Sequence, residues 1–387
     1  MKRIGLLFTG SENWLGGVYY IKNIILALNN NTENEKHYLV LIVPPWISKS
    51  LYSDLSANIE ILFYPDKKSI ESRYVMLHRV FRKIRSLLGK GYDYSFSKIL
   101  INNRIDVIYP VYSTLTKKFP VPWIAWVPDL QHKFYSQYFT AKQIKEREKN
   151  YKSLANDASK IIFSSYDALN TFHKYYSFNK SKLFVLQFRS IIDTEYQNHN
   201  FRTNLGKYNL PGNYFCVSNQ WWAHKNHIVV LNAIILLLKA GTNINVVFTG
   251  KTFDHRNEKF FEQMKCYIKD NEIDKNVRIL GLIPRTDQLS IMKNSLGIIQ
   301  PSKFEGWSTV VEDAQALGKK IIISDIPVNK EQAPANAVYF NPDNPTELSN
   351  LLKMISCGQF VDEEPNNDRY KSLIKKFSLD FLNIVEE

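Results

Sequence analysis

The stretch PSKFEGWSTVVEDAQALG, residues 301–318, sets three carboxylates, Glu305, Glu312 and Asp313, around a short Gly-Trp-Ser-Thr turn that opens a helical pattern. Carboxylates accept hydrogen bonds from hydroxyls, and the unpaired amides of a helix N-terminus bind anions. The two features together suit a ligand that carries both phosphate and sugar hydroxyls. Thr309 and Glu312 also fit a capping box, the hydroxyl taking an orphan amide while the glutamate reaches back to the cap. Capping and ligand binding therefore compete for Glu312. Glu305, in the loop ahead of the cap, has no such local use.

A second candidate is CVSNQWWAHKNH, residues 216–227, which follows an apolar run and brings Lys225 to a helix start. Trp221 and Trp222 read as core, and His224 and His227 as surface residues. The ILGLIPRTDQL stretch places Leu282, Ile283 and Pro284 after a strand. In the first half, FTGSENWLGGVYYI sets Gly16 and Gly17 between a strand and its helix, where adjacent glycines let backbone approach a phosphate or a sugar. The pattern is not Gly-x-Gly-x-x-Gly, which argues against a dehydrogenase. WIAWVPDLQHKFYSQYF carries Asp129 and His132 just past another strand. A capping aspartate and a surface histidine would explain that pair equally well locally.

These residues sit on loops, and the loops need a frame. Short runs rich in β-branched and aromatic residues (RIGLLF, YLVLIV, IDVIYP, WIAWV, KIIFSS and KLFVLQ, then YFCVSN, INVVFTG, VRILG, LGIIQPS, KIIISD and AVYF) alternate with amphipathic stretches. Such alternation predicts an α/β chain with parallel sheets covered on both faces by helices, in two successive Rossmann-like copies. The expected boundaries are residues 1–195 and 205–365, with a polar, aperiodic linker over 193–213. The amphipathic helix 366–387 is expected to pack back on the first domain. Doubly wound sheets bind ligands beyond the carboxyl ends of their strands, so two such domains predict a cleft.

The composition bounds the rest. The 387 residues suit two domains, and 44% hydrophobic residues supply two cores. Cys216, Cys266 and Cys357 show no metal or disulfide spacing, which fits a reducing compartment. The apolar run Ile4–Phe8 is short for a signal core, and no run reaches the roughly 18 residues of a spanning helix; the expected location is cytoplasmic. A net charge of +13 implies an anionic partner without choosing among nucleic acid, lipid and phosphorylated substrate.

The 301–318 stretch resembles the donor motif of family 4 retaining glycosyltransferases of the GT-B fold, in which seven residues separate two glutamates. Seven residues separate Glu305 from Asp313 here, and six separate it from Glu312. The resemblance implies that Glu305 contacts the transferred sugar and that the turn at Ser308 and Thr309 holds the phosphates. The ribose role falls to Asp313, or to Glu312 with a one-residue shift. IIISDIPVNKEQAP extends the likeness. CVSNQWWAHKNH resembles the family's basic loop, with Lys225 matching its lysine and Gln220 standing where the family has arginine; its form is similar to that of members that build bacterial surface polysaccharide such as O-antigen. By the same resemblance Ile283 and Pro284 wall the nucleobase, Gly16 and Gly17 line the acceptor and phosphate side, and His132, with Asp129, lies near the transferred sugar. The implied activity is retaining hexose transfer from a GDP- or UDP-sugar to a glycan acceptor, one that is lipid-linked. With no Asp-x-Asp in the chain, no metal or other cofactor is expected.

Residues 67–90 hold eight Lys or Arg and one acid, with Leu77, Phe81, Ile84 and Leu88 on one helical face. This pattern reads as a peripheral contact with the inner membrane or as an ordinary helix of the first domain. Two other classes remain at this level. An epimerase of nucleotide sugars would share fold and donor pocket. A nucleic-acid binder would use the charge but lacks a recognised motif, so no nucleic-acid partner is expected.

Overall fold

The computed structural model describes residues 1–12, 14–31, 37–55, 59–64, 93–178, 182–192, 206–254, 256–332, 334–359 and 367–387. The basic segment 67–90 and most of the expected linker lie outside the described residues. The chain divides into two compact units, Met1–Phe188 with Ile374–Glu387, and Arg189–Leu373.

The first unit runs β1 (Lys2–Leu7), α1 (Leu15–Asn29), β2 (His37–Val43), β3 (Glu60–Phe63), α2 (Tyr94–Asn102), β4 (Val107–Val111), β5 (Trp123–Val127), α3 (Ala141–Asp157), β6 (Lys160–Phe163), α4 (Tyr166–Tyr175) and β7 (Leu183–Val185). Its sheet is ordered β3-β2-β1-β4-β5-β6-β7, and the strand pairs are parallel. β5 reads WIAWV and is buried at every position, as a strand covered on both faces must be. α1 turns Val18, Ile21, Ile24, Ile25 and Leu28 inward, the spacing of one helical face. β3 was not legible as a strand. It is a short edge strand, half-exposed, and Glu60 on it is held by the Arg3 guanidinium at 3.0 Å.

The second unit runs β8 (Phe215–Ser218), α5 (His227–Lys239), β9 (Val246–Thr249), α6 (Phe260–Asp270), β10 (Val277–Gly281), α7 (Arg285–Asn294), β11 (Ile298–Gln300), α8 (Thr309–Ala316), β12 (Ile321–Ser324), α9 (Pro327–Gln332), β13 (Ala337–Phe340) and α10 (Pro345–Ser356). Its parallel sheet is ordered β10-β9-β8-β11-β12-β13. Successive side chains on a strand face opposite ways. Val217, Phe248, Ile299 and Ile322 accordingly join one apolar cluster, and Cys216, Val247, Ile298 and Ile321 join the other. This is why the strands read as unbroken apolar runs.

The last helix, α11 (Asn367–Glu386), begins in the second unit and ends in the first. Phe381 packs on the Tyr109 ring, and Lys2 and Lys160 donate to the last-turn carbonyls of Val385 and Ile384, matching cations to the negative helix end. Residues 367–373 count instead with the second unit, because the Tyr370 hydroxyl reaches Glu312. The lower edge also differs from residue 195: Arg189 and Ser190 bond to Glu312 and Asp313 and so go with the second unit.

In each sheet the order reverses once. β1 and β4 flank the reversal in the first unit, and β8 and β11 flank it in the second. Loops leaving such neighbours diverge to opposite faces and open a crevice beyond the strand ends.

Candidate active site

In the second unit that crevice is lined by the loops leaving β8 and β11. The β8 loop turns through a short 3-10 segment, Ala223–Lys225, into left-handed Asn226 (φ 57). The Asn226 side chain donates to the Pro301 and Pro342 carbonyls, and the Lys303 amide donates to the His224 carbonyl at 2.8 Å. These bonds tie the β8 loop to the β11 loop and fix the position of Lys225. Its Nζ lies 2.6 Å from the Glu305 carboxylate, with the two side chains 15% and 9% exposed.

Gln300, the last residue of β11 and fully buried, organises the site. Its carbonyl oxygen accepts from Asn219 at 2.7 Å, and its amide nitrogen donates to Glu305 at 2.8 Å, Ser308 Oγ at 3.0 Å and Ser302 Oγ at 3.2 Å. Ser308 is the residue that caps α8, its Oγ accepting from the Val311 amide. The expected capping box is thereby corrected: Thr309 is the first helical residue, so Glu312 lies one position too far along to reach back to the cap.

Glu312 is instead sealed inside. Its carboxylate takes the Arg189 guanidinium at 2.9 Å and bonds from Gln332, Trp307 and the Tyr370 hydroxyl. Burial pushes its carboxyl above the usual range, against the lowering effect of Arg189 and these hydrogen bonds. The adjacent Asp313 points to other partners. It receives both guanidinium nitrogens of Arg285, at 2.5 and 2.7 Å, and the Ser190 hydroxyl at 2.7 Å. Arg285 opens α7 directly after Pro284, so Asp313 is linked to the loop that carries Ile283 and Pro284. Ile283 packs partly into the core below, while Leu282 is 56% exposed.

Two histidines read as surface residues are buried. His227 stacks on Trp221 at 4.3 Å and is pushed down to about 3, by burial first and by nearby Lys225. His224 is held well below its ordinary value by burial, then by Lys225 and Arg256. Both imidazoles are neutral at pH 7, so neither adds to the positive charge of Lys225.

In the first unit, Gly17 packs inside the β1–α1 turn. A side chain there would meet the Gly10 backbone and the Trp14 ring at 3.0 Å, whereas at Gly16 it would meet only Trp14, at 3.4 Å or more. The Asp129 carboxylate accepts from the Gln131 amide, and His132 pairs with Glu148 at 3.0 Å rather than with Asp129. Burial holds His132 below its ordinary value, opposed by Glu148. Burial raises the Glu148 carboxyl, but hydrogen bonds from Lys133, Tyr176 and His132 carry it lower overall.

Sequence reasoning passed over Gln300, Arg189, Arg285 and Tyr370. A glutamine ending an apolar run just before a proline (IIQPS) is a usable signal for Gln300. Arg189 and Tyr370 lie far from the motif they serve and carry no local mark.

The fold is that of the GT-B structures. Over 100% of both chains it superposes with a TM-score of 0.70 and 11% identity on HepE of Anabaena, solved with UDP and glucose. It also matches WaaG, described as a glycosyltransferase involved in lipopolysaccharide biosynthesis, with a TM-score of 0.57 and 10% identity over 98% of this chain and 95% of WaaG. Residues 201–378 match the model of the family described as "Glycosyl transferases group 1". The O-antigen chain mannosyltransferase RfbU of Salmonella typhimurium is 25% identical over 144 residues, 37% of this chain. That match spans 38% of the length of RfbU.

Proposed function

We propose that the chain is a retaining glycosyltransferase that moves a hexose from a nucleotide-diphosphate sugar to a hydroxyl of a lipid-linked glycan, in the assembly of O-antigen or a similar surface polysaccharide. The observation that carries this reading is the pairing of Lys225 with Glu305 at the point where the sheet order reverses. A cation for the diphosphate and a carboxylate for the sugar hydroxyls stand within one bond of each other, beside the start of α8. Asp313 is assigned the ribose, because its partner Arg285 directly follows the loop assigned to the base, whereas Glu312 is enclosed by its own arginine and tyrosine. The GT-B fold and the likeness to RfbU support the class and the pathway.

In this mechanism the acceptor oxygen bonds to the anomeric carbon on the face from which the diphosphate departs. The bond from that carbon to the phosphate oxygen breaks, and the departing oxygen takes the acceptor proton. Charge builds on the leaving diphosphate, so catalysis rests on preplaced cations and amides. Lys225 and the Thr309 amide are assigned this task, without a divalent metal; the Ser308 amide is taken by the Gln332 side-chain oxygen at 3.2 Å. His132, positioned by Glu148, is assigned to the sugar side, and residues 67–90 to an anionic membrane surface that holds the acceptor.

The test is calorimetry with UDP, GDP, ADP and dTDP on the wild-type chain and on Lys225→Ala and Glu305→Ala. Tight binding of one nucleotide, weakened in Lys225→Ala, is expected; sugar donors built on it should then give products of retained anomeric configuration only when acceptor is present. No binding of any nucleotide would overturn the reading, and donor conversion without acceptor would favour an epimerase.

A further inference from the structure

In the first unit the sheet order reverses between β1 and β4, and the loops leaving these two strands meet through aromatic side chains. Trp14 closes the β1 exit loop, its amide donating to the Ser11 carbonyl at 2.8 Å. Its ring lies 6.3 Å from that of Trp126 on β5, at 20°, and Tyr112, the first residue after β4, meets it edge-on at 5.7 Å. Trp126 is itself stacked on Tyr20 of α1 at 3.8 Å and is fixed by its Nε1, which donates to Ser164 Oγ at 2.9 Å. Tyr20 and Trp126 are buried, so Trp14 alone of the three stacked rings reaches the surface. Gly17 completes the seat. A Cβ there would come within 3.0 Å of the indole, so the glycine lets the start of α1 pack closely against the ring.

A fixed indole at the carboxyl end of a sheet is a flat apolar face whose π-cloud attracts weakly positive C–H groups. The next exit loop narrows what can lie on it. Asp129, half-buried two residues past β5, accepts one hydrogen bond on its carboxylate, from the Gln131 amide at 2.9 Å, and has no ion-pair partner among the described residues. Most of its lone-pair sites are therefore open. Burial pushes the Tyr112 phenol well above its ordinary value and the charge of Asp129 adds to the rise, which puts this carboxylate near the ring that edges Trp14. A carboxylate repels phosphate and is a poor neighbour for an acyl chain, but it accepts strongly from hydroxyls. A ligand with an apolar C–H face and hydroxyls at its rim suits both groups, and a hexose ring is such a ligand. A nucleobase with N–H donors would suit them too, but the reading above already gives the base to the second unit.

We infer that Trp14 and Asp129 form the subsite for a hexose ring of the glycan acceptor, the indole carrying its C–H face and the carboxylate its hydroxyls. The inference rests on the transferase reading above and adds to it the residues that hold the acceptor. The competing description is an indole that only lids the aromatic core of the unit.

The experiment follows the indole N–H signals of the seven tryptophans by NMR in the full chain while methyl glycosides of mannose, galactose and glucose are added, with Trp14→Phe identifying the Trp14 signal. One hexoside should move that signal saturably. Its affinity, read by saturation transfer to the hexoside, should fall about tenfold in Trp14→Ala and by less in Trp14→Phe, which keeps a ring. Asp129→Asn should lower it about fivefold, a test that stands even where the alanine variant does not fold. A lid would lower thermal stability on replacement and give no hexoside-dependent shift at Trp14, which overturns the inference and spares the donor site. A Trp14 signal moved by a nucleotide or a nucleotide sugar, and by no hexoside, would give the ring to the donor and overturn the acceptor assignment. A chain that binds a hexoside at Trp14 and no nucleotide would uphold the sugar subsite and overturn the donor-site reading.

Discussion

Lys225 and Glu305, eighty residues apart in the chain, close on each other at 2.6 Å, and Gln300 donates to the same Glu305 oxygen. Read separately, one suits phosphate and the other sugar hydroxyls. Paired, each restrains the other: the lysine is partly neutralised until a stronger anion arrives, and the carboxylate is held in a single position. Charge-assisted bonds of this kind exceed neutral ones in strength, so under the proposed reading exchanging one for a ligand contact would be a sizeable part of donor binding.

The two residues should therefore respond to mutation with opposite signs in binding. Lys225→Ala removes a charged contact and should weaken nucleotide-diphosphate affinity by about 10- to 100-fold. Glu305→Gln removes the competitor for Lys225, so affinity should hold or rise while turnover falls by about 10²-fold or more. Calorimetry and initial rates on the same preparations check this. Loss of affinity in both variants would show that Glu305 is needed for the shape of the site and not for the chemistry.

Gln300 is the positioning residue, since one buried amide orients Asn219, Ser308 and Glu305 together. Gln300→Leu leaves several buried polar groups without a partner and should cost about 2–4 kcal/mol in urea unfolding. A purely structural glutamine would stop there. A positioning role adds a drop in kcat of about tenfold or more at nearly unchanged KM for the donor, because the misplaced carboxylate matters only in the reacting complex.

Much of this arrangement was legible in advance, and the failures have a common cause. β5 and β12 stand out because a strand covered on both faces must be apolar throughout, and Lys225 and Glu305 stand out because polar groups after such strands need a reason. Their mutual contact does not, because it depends on β8 lying beside β11, and strand order is a non-local property. The same holds for Arg189 and Tyr370, brought to Glu312 from 123 and 58 positions away. The cap at Ser308 was misplaced by one residue because serine and threonine are adjacent and both cap helices, and the Thr-x-x-Glu spacing drew the cap to Thr309. β3 escaped because edge strands need not alternate or bury.

The neighbouring acids Glu312 and Asp313 should separate by function. Asp313→Asn disturbs the Arg285 fork beside the base loop and should narrow the preference for a ribonucleotide diphosphate over its 2′-deoxy counterpart by about tenfold, or 1.4 kcal/mol. Glu312→Gln keeps the shape but removes the countercharge of buried Arg189, and should cost about 1–3 kcal/mol of stability with that preference unchanged. Burial raises the Glu312 carboxyl, so the folded chain takes up this proton before the unfolded one does, and the cost of the substitution should grow as pH falls. The reverse pattern, with ribose selectivity following Glu312, would move the ribose assignment by one residue.

The histidines of the β8 loop predict how stability depends on pH. His227, stacked on Trp221, is pushed down to about 3 in the folded chain, while an unfolded histidine titrates near 6.5. A group whose folded pKa is depressed contributes stability above the unfolded value and loses it as pH falls, because the unfolded chain binds the proton first. From pH 7 to pH 5 the loss from His227 alone is about 2 kcal/mol, a figure set by the unfolded titration as long as the folded one lies well below 5. His224, also depressed by burial and by Lys225 and Arg256, loses stability in the same direction. His227→Phe preserves a flat ring against Trp221 and removes the titration. Urea unfolding of wild type and variant at both pH values should therefore show the variant losing about 2 kcal/mol less on acidification. Carboxylates elsewhere titrate equally in both proteins and cancel in the comparison. Equal losses would mean that the His227 imidazole is protonated in the folded chain, and the neutral environment beside Lys225 would have to be abandoned.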